Sequence, residues 1–66
     1  MNIVVNGEVR QAAKARNVAE LIDELELPAP AILVEHNGLA LRREEWLERQ
    51  LADGDTIELV RIVAGG

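Results

Sequence analysis

The alternation of apolar and polar positions predicts a β-hairpin at the start of the chain. Residues 1–5 form a largely apolar, β-branched run that ends at the dipeptide Asn6-Gly7. This dipeptide is typical of a type I′ turn, because both central positions of that turn need a positive φ. Residues 8–12 are then the returning strand, with Val9 as its best apolar anchor.

An amphipathic helix is predicted after the hairpin. Four apolar residues recur at the i, i+3, i+4, i+7 spacing that places side chains on one helical face: Val18, Leu21, Ile22 and Leu25. Asn17 stands at the N-cap position, and Glu20 three residues later completes a pattern like a capping box. Pro28 and Pro30 end the helix, because proline lacks the backbone donor and restricts the residue before it.

The second half of the chain predicts three more strands. Residues 31–35 form a continuous apolar run, so we expect a central strand that is buried on both faces or nearly so. A short strand over residues 39–41 follows the turn at residues 36–38. The final strand covers residues 56–63 and follows a tight Asp-Gly-Asp turn.

The order of these elements predicts an α+β fold of the β-grasp, ubiquitin-like type. Residues 42–50 have the composition of a short second helix, with Trp46 and Leu47 directed inward. We expect a mixed sheet of four to five strands, with the main helix on one face and the final strand able to pair in the middle. Residues 1–63 would form the domain and residues 64–66 a flexible tail. The strand residues expected to face the helix are Ile3, Val5, Ile32, Val34, Ile57 and Leu59.

The final strand also predicts a partner surface on the open side of the sheet. Val60 and Ile62 have the opposite parity from Ile57, and with Val4 and Leu33 they could form an exposed apolar patch. Such patches usually mark sites of protein interaction. The alternative is a bulge near residues 59–60 that hides these side chains.

Composition excludes several classes of function. The 66 residues contain 12 acidic and 7 basic side chains, for a net charge of −5, and no cysteine. Disulfides and thiolate metal sites are therefore excluded, and an acidic surface disfavours nucleic acid. No apolar run is long enough to span a membrane, and no signal segment is apparent. We expect a cytoplasmic protein that binds neither nucleic acid nor membranes.

Catalysis by the chain itself is not expected. The sequence has no Cys, Ser or Tyr, and Thr56 and His36 are its only threonine and histidine, so no set of nucleophile, base and orienting group can be assembled. His36 precedes a hairpin turn and is predicted to be a solvated surface residue. Asp53, Asp55 and Glu58 lack the spacing of a calcium loop. We therefore expect no metal and no cofactor bound by the chain.

The last four residues, Val63, Ala64, Gly65 and Gly66, carry the candidate chemistry. When extended, they reach roughly 13 Å at about 3.3 Å per residue, which is enough to enter the active site of another protein. The two glycines give clearance, because they have no side chains and a wide range of φ and ψ. Gly66 is predicted to be the reacting group: transfer of its carboxylate to the α-phosphate of ATP would allow a sulfur or amine nucleophile to displace AMP.

Three segments carry a resemblance to a known family. They are residues 51–66, with Asp53-Gly54-Asp55 and the terminal glycines, residues 4–8 (Val-Val-Asn-Gly-Glu), and residues 34–38 (Val-Glu-His-Asn-Gly) with Arg42 or Arg43 before Trp46. Together they resemble the ThiS family, the sulfur carrier proteins of thiamine biosynthesis. The resemblance covers essentially the whole chain, although some relatives have an aromatic residue where this chain has Val60 and Ile62.

The resemblance implies a protein-bound sulfur donor that is a co-substrate of other enzymes and not itself an enzyme. An E1-like adenylating enzyme would use ATP to activate Gly66, a sulfur-donating enzyme would supply the sulfur of a thiocarboxylate, and thiazole synthase would receive it. The chain alone is expected to be a monomer. The residues leave open a carrier like the small subunit of molybdopterin synthase, a ubiquitin-like modifier of lysines, and a module that binds partners non-covalently through the apolar patch.

Overall fold

A computed structural model describes residues 1–63, and within them five strands form one mixed sheet against one α-helix. The strands are β1 (Asn2–Val5), β2 (Glu8–Gln11), β3 (Ile32–His36), β4 (Leu39–Leu41) and β5 (Thr56–Arg61), the helix is α1 (Val18–Glu24), and two 3₁₀ turns cover Ala29–Ala31 and Arg43–Glu45. Their order across the sheet is β2-β1-β5-β3-β4. The predicted β-grasp fold is confirmed, with the final strand in the middle of the sheet.

The first hairpin forms as its turn chemistry predicts. Asn6 and Gly7 adopt φ values of 49° and 82°, the left-handed conformations of a type I′ turn. β1 and β2 pair antiparallel, with Val4 opposite Val9, and β1 pairs in parallel with β5, with Val4 opposite Thr56. The hairpin therefore forms one side of the sheet and β5 lies directly beside it.

Three sets of hydrogen bonds, all donated by backbone N–H groups, hold the start of α1. The Asn17 side chain accepts a hydrogen bond from the Glu20 backbone N–H at 2.8 Å, as predicted for the N-cap. The Glu20 carboxylate accepts from the Arg16 N–H at 2.7 Å, one residue before the N-cap nitrogen of a regular capping box. The first helical N–H groups donate to carbonyl oxygens of residues 46 and 49, so the second half of the chain closes this helix end.

The core lies between α1 and one face of the sheet. The predicted inward strand positions are buried, apart from Leu59, which is partly buried against the core. The most deeply buried side chains are Ile3, Val18, Leu21, Ile22 and Ile57. The prediction that residues 31–35 are buried on both faces is wrong, because Leu33 is 54% exposed. The helix covers a single face, so a strand that is apolar throughout still alternates between core and solvent.

The predicted second helix is reduced to a 3₁₀ turn, Arg43–Glu45. Trp46, which follows it, is buried, and the Arg43 guanidinium lies 4.7 Å from its ring centroid. The prediction that Leu47 points inward is wrong, because its side chain is 74% exposed. Trp46 occupies the core position of this segment, and the next side chain along the turn, Leu47, points to solvent. Among residues 1–63, no helix has the length and apolar character needed to cross a membrane.

Candidate functional site: the open face of the sheet and the base of the tail

The outward side chains of β5 and β3 form an apolar surface close to the last described residue, Val63. Leu33 lies directly opposite Val60 in the antiparallel pairing of β3 with β5. The backbone N–H of Ile62 donates to the Ala31 carbonyl at 2.6 Å, so strand-like pairing continues one residue beyond β5. Leu33, Val60 and Ile62 are about half exposed, at 54%, 57% and 49%. We call these three residues the tail-side patch.

Val4, the fourth residue predicted for this surface, lies in a separate place. It is only partly exposed and is level with Thr56 on β5, four residues before Val60. At about 3.3 Å per residue, Val4 and Val60 are roughly 13 Å apart along the strand. The direct cross-strand neighbour of Val4 is Val9, which is 72% exposed. The open face therefore has two apolar areas instead of one continuous patch.

The alternative of a bulge near residues 59–60 is not observed. Pairing between β3 and β5 runs without interruption from Ile32 opposite Arg61 to His36 opposite Ile57. Regular pairing keeps Val60 on the open face and Leu59 toward the core. The parity of the final strand thus places apolar residues on both sides of the sheet.

The base of the tail is accessible at its last described residue. Val63 is 83% exposed. The predicted reacting residue Gly66, and the residues Ala64 and Gly65 that would present it, lie outside the described residues, as does the predicted tail of residues 64–66 as a whole. The geometry of the site is therefore that of the described surface that ends at Val63.

Asn6 holds β5 at a point where β1 has already ended. Its side-chain Oδ1 accepts from the Leu59 backbone N–H at 2.7 Å, and its Nδ2 donates to the Leu59 carbonyl at 3.2 Å. The side-chain amide thus takes the position that a backbone peptide of a longer β1 would occupy. We did not predict this contact, because an Asn-Gly pair indicates a turn and gives no sign of a partner 53 residues away.

A second network anchors the start of β5. His36 Nε2 lies 2.7 Å from Asp55 Oδ2, which also accepts from the Ala52 backbone N–H at 2.8 Å, while Asn37 Nδ2 donates to Asp55 Oδ1 at 3.1 Å. Burial alone would raise the pKa of Asp55, but the hydrogen bonds from His36, Asn37 and Ala52 outweigh it and hold the pKa of this carboxyl below its usual value. The network joins two turns to the central strand.

The prediction that His36 is a solvated surface residue is wrong. His36 is 7% exposed and has the same parity as Ile32 and Val34, whose side chains face the core. A polar ring at such a position needs a partner, and Asp55 provides it. Asp55 is 19 residues away from His36 in sequence. The residues next to His36 in the sequence therefore gave no sign that the two side chains form a pair.

Two other polar features do not form a reactive site. The Glu24 carboxylate accepts backbone N–H groups of Ala13, Lys14 and Ala15 at 3.2, 3.0 and 3.1 Å. These bonds, led by the one from Lys14, hold the pKa of Glu24 below its usual value, and they fill a backbone pocket that could otherwise receive an anion. Within residues 1–63, no three His, Asp or Glu side chains are placed to hold a metal ion.

A groove of about 370 Å³ lies on the helix side of the sheet. Its apolar lining comes from Leu25 and Leu27, which follow α1, and from the strands. The lining also includes charged side chains of both signs: Glu8, Arg10 and Arg61. These mixed charges favour no particular class of ligand. The open face next to the tail is therefore the better candidate for a functional surface.

Comparison with known proteins relates the whole chain to one family. The model of the ThiS family matches residues 3–66. The chain is 32% identical over 66 residues to the sulfur carrier protein ThiS of Escherichia coli, and the match covers all of both chains. It is also 30% identical to a segment that makes up 20% of a protein named thiazole synthase from Paramagnetospirillum magneticum.

The solved structures agree with these sequence matches. The crystal structure of a thiamine biosynthesis protein (ThiS) from Geobacter metallireducens is similar with a TM-score of 0.85 and 36% identity, over the full length of both chains. An NMR structure of a thiamine biosynthesis protein from the same organism gives a TM-score of 0.81 at 36% identity, with 88% of that chain covered. Fold and sequence are thus similar along the entire chain.

Proposed function

The chain belongs to the ThiS family, and we therefore propose that it is a sulfur carrier of thiamine biosynthesis whose cargo is attached at the Gly66 carboxylate. The observation that carries this proposal is the full-length match to the Escherichia coli carrier, together with a solved ThiS structure at a TM-score of 0.85. The alignment with the family extends to Gly66.

The proposed chemistry has two steps, and the chain contributes only the carboxylate. An oxygen of the Gly66 carboxylate attacks the α-phosphorus of ATP held by an E1-like adenylating enzyme, and pyrophosphate leaves. A sulfur nucleophile at the oxidation level of sulfide, supplied by a sulfur-donating enzyme, then attacks the carbonyl carbon. The C–O bond breaks, AMP leaves, and a thiocarboxylate remains on Gly66. The carrier is a co-substrate in both steps and is not the catalyst.

Thiazole synthase is the proposed acceptor of the sulfur. The match to one fifth of a protein of that name supports this assignment, because a carrier-like segment joined to a synthase keeps donor and acceptor at high effective concentration. For a separate carrier, the same encounter needs a docking surface. The tail-side patch and the separate apolar area at Val4 are the proposed surface, since exposed apolar areas usually mark interaction sites.

The fold suits presentation of an extended arm. β5 is held on one side by β3 and on the other by β1 and the Asn6 side chain, so the base of the tail has a fixed direction. From Val63, which is exposed, the proposed arm continues through Ala64 and Gly65 to Gly66. When extended, four residues would reach roughly 13 Å, so the proposed arm is long enough to enter the active site of another protein.

Intact-mass spectrometry tests the proposal. The chain is incubated with ATP, the adenylating enzyme and a sulfur source, and it should gain the mass of one sulfur-for-oxygen exchange on Gly66. Deletion of Gly66 should abolish the gain and leave the circular dichroism spectrum unchanged, and omission of ATP is the control. Conversion that persists without Gly66 would contradict the proposal. Attachment of the chain to lysines of other proteins would instead indicate a ubiquitin-like modifier.

A further inference from the structure

β5 extends well past the end of its neighbour β1. The last paired positions of these two parallel strands are Val5 and Ile57, and the Asn6 backbone N–H then donates to the Ile57 carbonyl at 2.9 Å. After Asn6 the chain turns away into β2. Within residues 1–63, no backbone hydrogen bond from the first hairpin reaches β5 beyond Ile57.

The backbone groups of Leu59 point toward the space that β1 leaves. Facing residues of an antiparallel pair alternate between hydrogen-bonded and non-hydrogen-bonded positions. The Ile62 N–H donates to the Ala31 carbonyl, so Leu59, three residues earlier, is at a non-hydrogen-bonded position and its N–H and carbonyl point away from β3. The side-chain amide of Asn6 binds both groups, at 2.7 and 3.2 Å. Among the residues described, Leu59 is the last of β5 to be hydrogen-bonded from the β1 side.

We propose that Asn6 is a positioning residue for the adenylation of Gly66. Through the Leu59 peptide, its side-chain amide fixes the direction in which β5 leaves the sheet. That direction decides where an adenylating enzyme docked on the domain meets the Gly66 carboxylate. Asn6 itself does not touch the reacting atoms. The inference rests on the proposed function, because it assumes that Gly66 is the group that reacts.

The distance from Leu59 to Gly66 makes small changes of direction important. An extended arm between these residues would span roughly 23 Å at about 3.3 Å per residue, and a change of about 10° at Leu59 would move its end by roughly 4 Å. Reacting atoms must approach within about 3–3.5 Å, and a misplacement of about 1 Å can slow a reaction about 100-fold. Contacts between the enzyme and the arm would correct part of this error, so we expect kcat to fall by roughly three- to tenfold when the Asn6 contact is lost.

Asn37 provides a matched control at the other end of β5. Like Asn6, it precedes a glycine and has a φ of 49°, and its side chain accepts from a β5 backbone N–H, that of Thr56, at 2.8 Å. The Asn37 backbone N–H also donates to the Thr56 carbonyl at 2.8 Å, so the start of β5 stays attached without the side chain. Asn6→Gly and Asn37→Gly remove the same kind of contact without backbone strain, and only Asn6→Gly acts on the end of β5 that leads to Val63.

ATP–pyrophosphate exchange by the adenylating enzyme tests the inference. The chain is the varied substrate, and the temperature is one at which circular dichroism shows the unaltered chain and both variants to be folded. Asn6→Gly should lower kcat roughly three- to tenfold and leave KM within about twofold, because the docking surface is intact. Asn37→Gly should leave both constants within about twofold. By nitrogen-15 relaxation, the order parameters of the backbone N–H groups of residues 60–63 should fall only in Asn6→Gly.

Equal decreases of kcat in Asn6→Gly and Asn37→Gly would overturn the inference, since a general loosening of β5 would then explain both. Unchanged kcat or unchanged order parameters in Asn6→Gly would also overturn it, as would a change confined to KM, which would assign Asn6 to the docking surface. If the unaltered chain supports no exchange, or supports it equally well after deletion of Gly66, the proposed function itself fails.

Discussion

The contact between Asn6 and the Leu59 peptide yields a prediction about the strand that leads into the tail. Replacing Asn6 with alanine removes an acceptor 2.7 Å from the Leu59 N–H and a donor 3.2 Å from its carbonyl. Both Leu59 groups are near solvent, so water can hydrogen-bond to them in the variant. The two hydrogen bonds together therefore contribute only about 1 kcal/mol to stability. Position 6 has a positive φ, and holding alanine in this left-handed conformation costs about another 1 kcal/mol. The expected loss is about 2 kcal/mol.

This loss is large for so small a domain. A chain of 66 residues is expected to have a free energy of unfolding of about 3–10 kcal/mol, and about 2 kcal/mol corresponds to a decrease in Tm of roughly 10 °C. Urea denaturation followed by circular dichroism measures the change. Asn6→Gly should lose less, because glycine adopts the positive φ without strain. Asn2→Ala, at an exposed position of β1, is the control and should change stability by less than about 0.5 kcal/mol.

Hydrogen exchange separates the contact from the turn. Both Asn6→Ala and Asn6→Gly remove the acceptor of the Leu59 amide. If Asn6 protects this amide, its exchange rate in both variants should rise by more than the loss of global stability predicts. An unchanged exchange rate at Leu59, relative to that global effect, would refute the reasoning. The loss of stability would then belong to the turn conformation, and the proposed restraint on β5 would be absent.

Three further predictions follow from burial and charge. The pKa of Asp55 is lowered in the folded state, so its stabilising effect should be complete above about pH 4 and lost as the pH falls through the folded value. Urea titrations from pH 7 to 3 should therefore show a shrinking stability difference between the unaltered chain and Asp55→Asn. Leu21→Ala, at a position 1% exposed, should cost about 2–5 kcal/mol in the same assay, and a smaller loss would contradict the assigned core. Val60→Asp should have a Tm within a few degrees of that of the unaltered chain, and it should reduce sulfur transfer to thiazole synthase. Undiminished transfer would exclude the tail-side patch as a docking surface.

Local chemistry accounts for the elements that were predicted correctly. The Asn-Gly turn needs positive φ within two residues, and the α1 stripe repeats within two helical turns, so both signals are short enough to read along the chain. The alternation of side chains along a strand, which places Val60 on the face opposite Ile57, can also be read directly from the sequence. Predictions of this kind depend on backbone geometry that neighbouring residues largely set.

The errors arose where the answer depended on a distant element. Leu33 belongs to a run in which side chains on both faces of the strand are apolar. Only the position of α1 decides which face of that strand is covered. His36 stands beside a turn, but the pairing of β3 with β5 places it opposite Ile57, where Asp55 can reach its ring. Val4 and Leu33 share a face, but the register places Val4 level with Thr56 and Leu33 level with Val60, so the two residues lie in separate areas.

The amino-acid sequence by itself determined the hairpin, the helix, the fold class and the family, because these follow from short-range periodicity, turn chemistry and residue motifs. The tertiary structure alone decided which apolar residues adjoin, that His36 meets Asp55, and that Asn6 holds Leu59. The physical reason is that such contacts depend on strand order and register, which arise from the joint packing of all five strands against one helix.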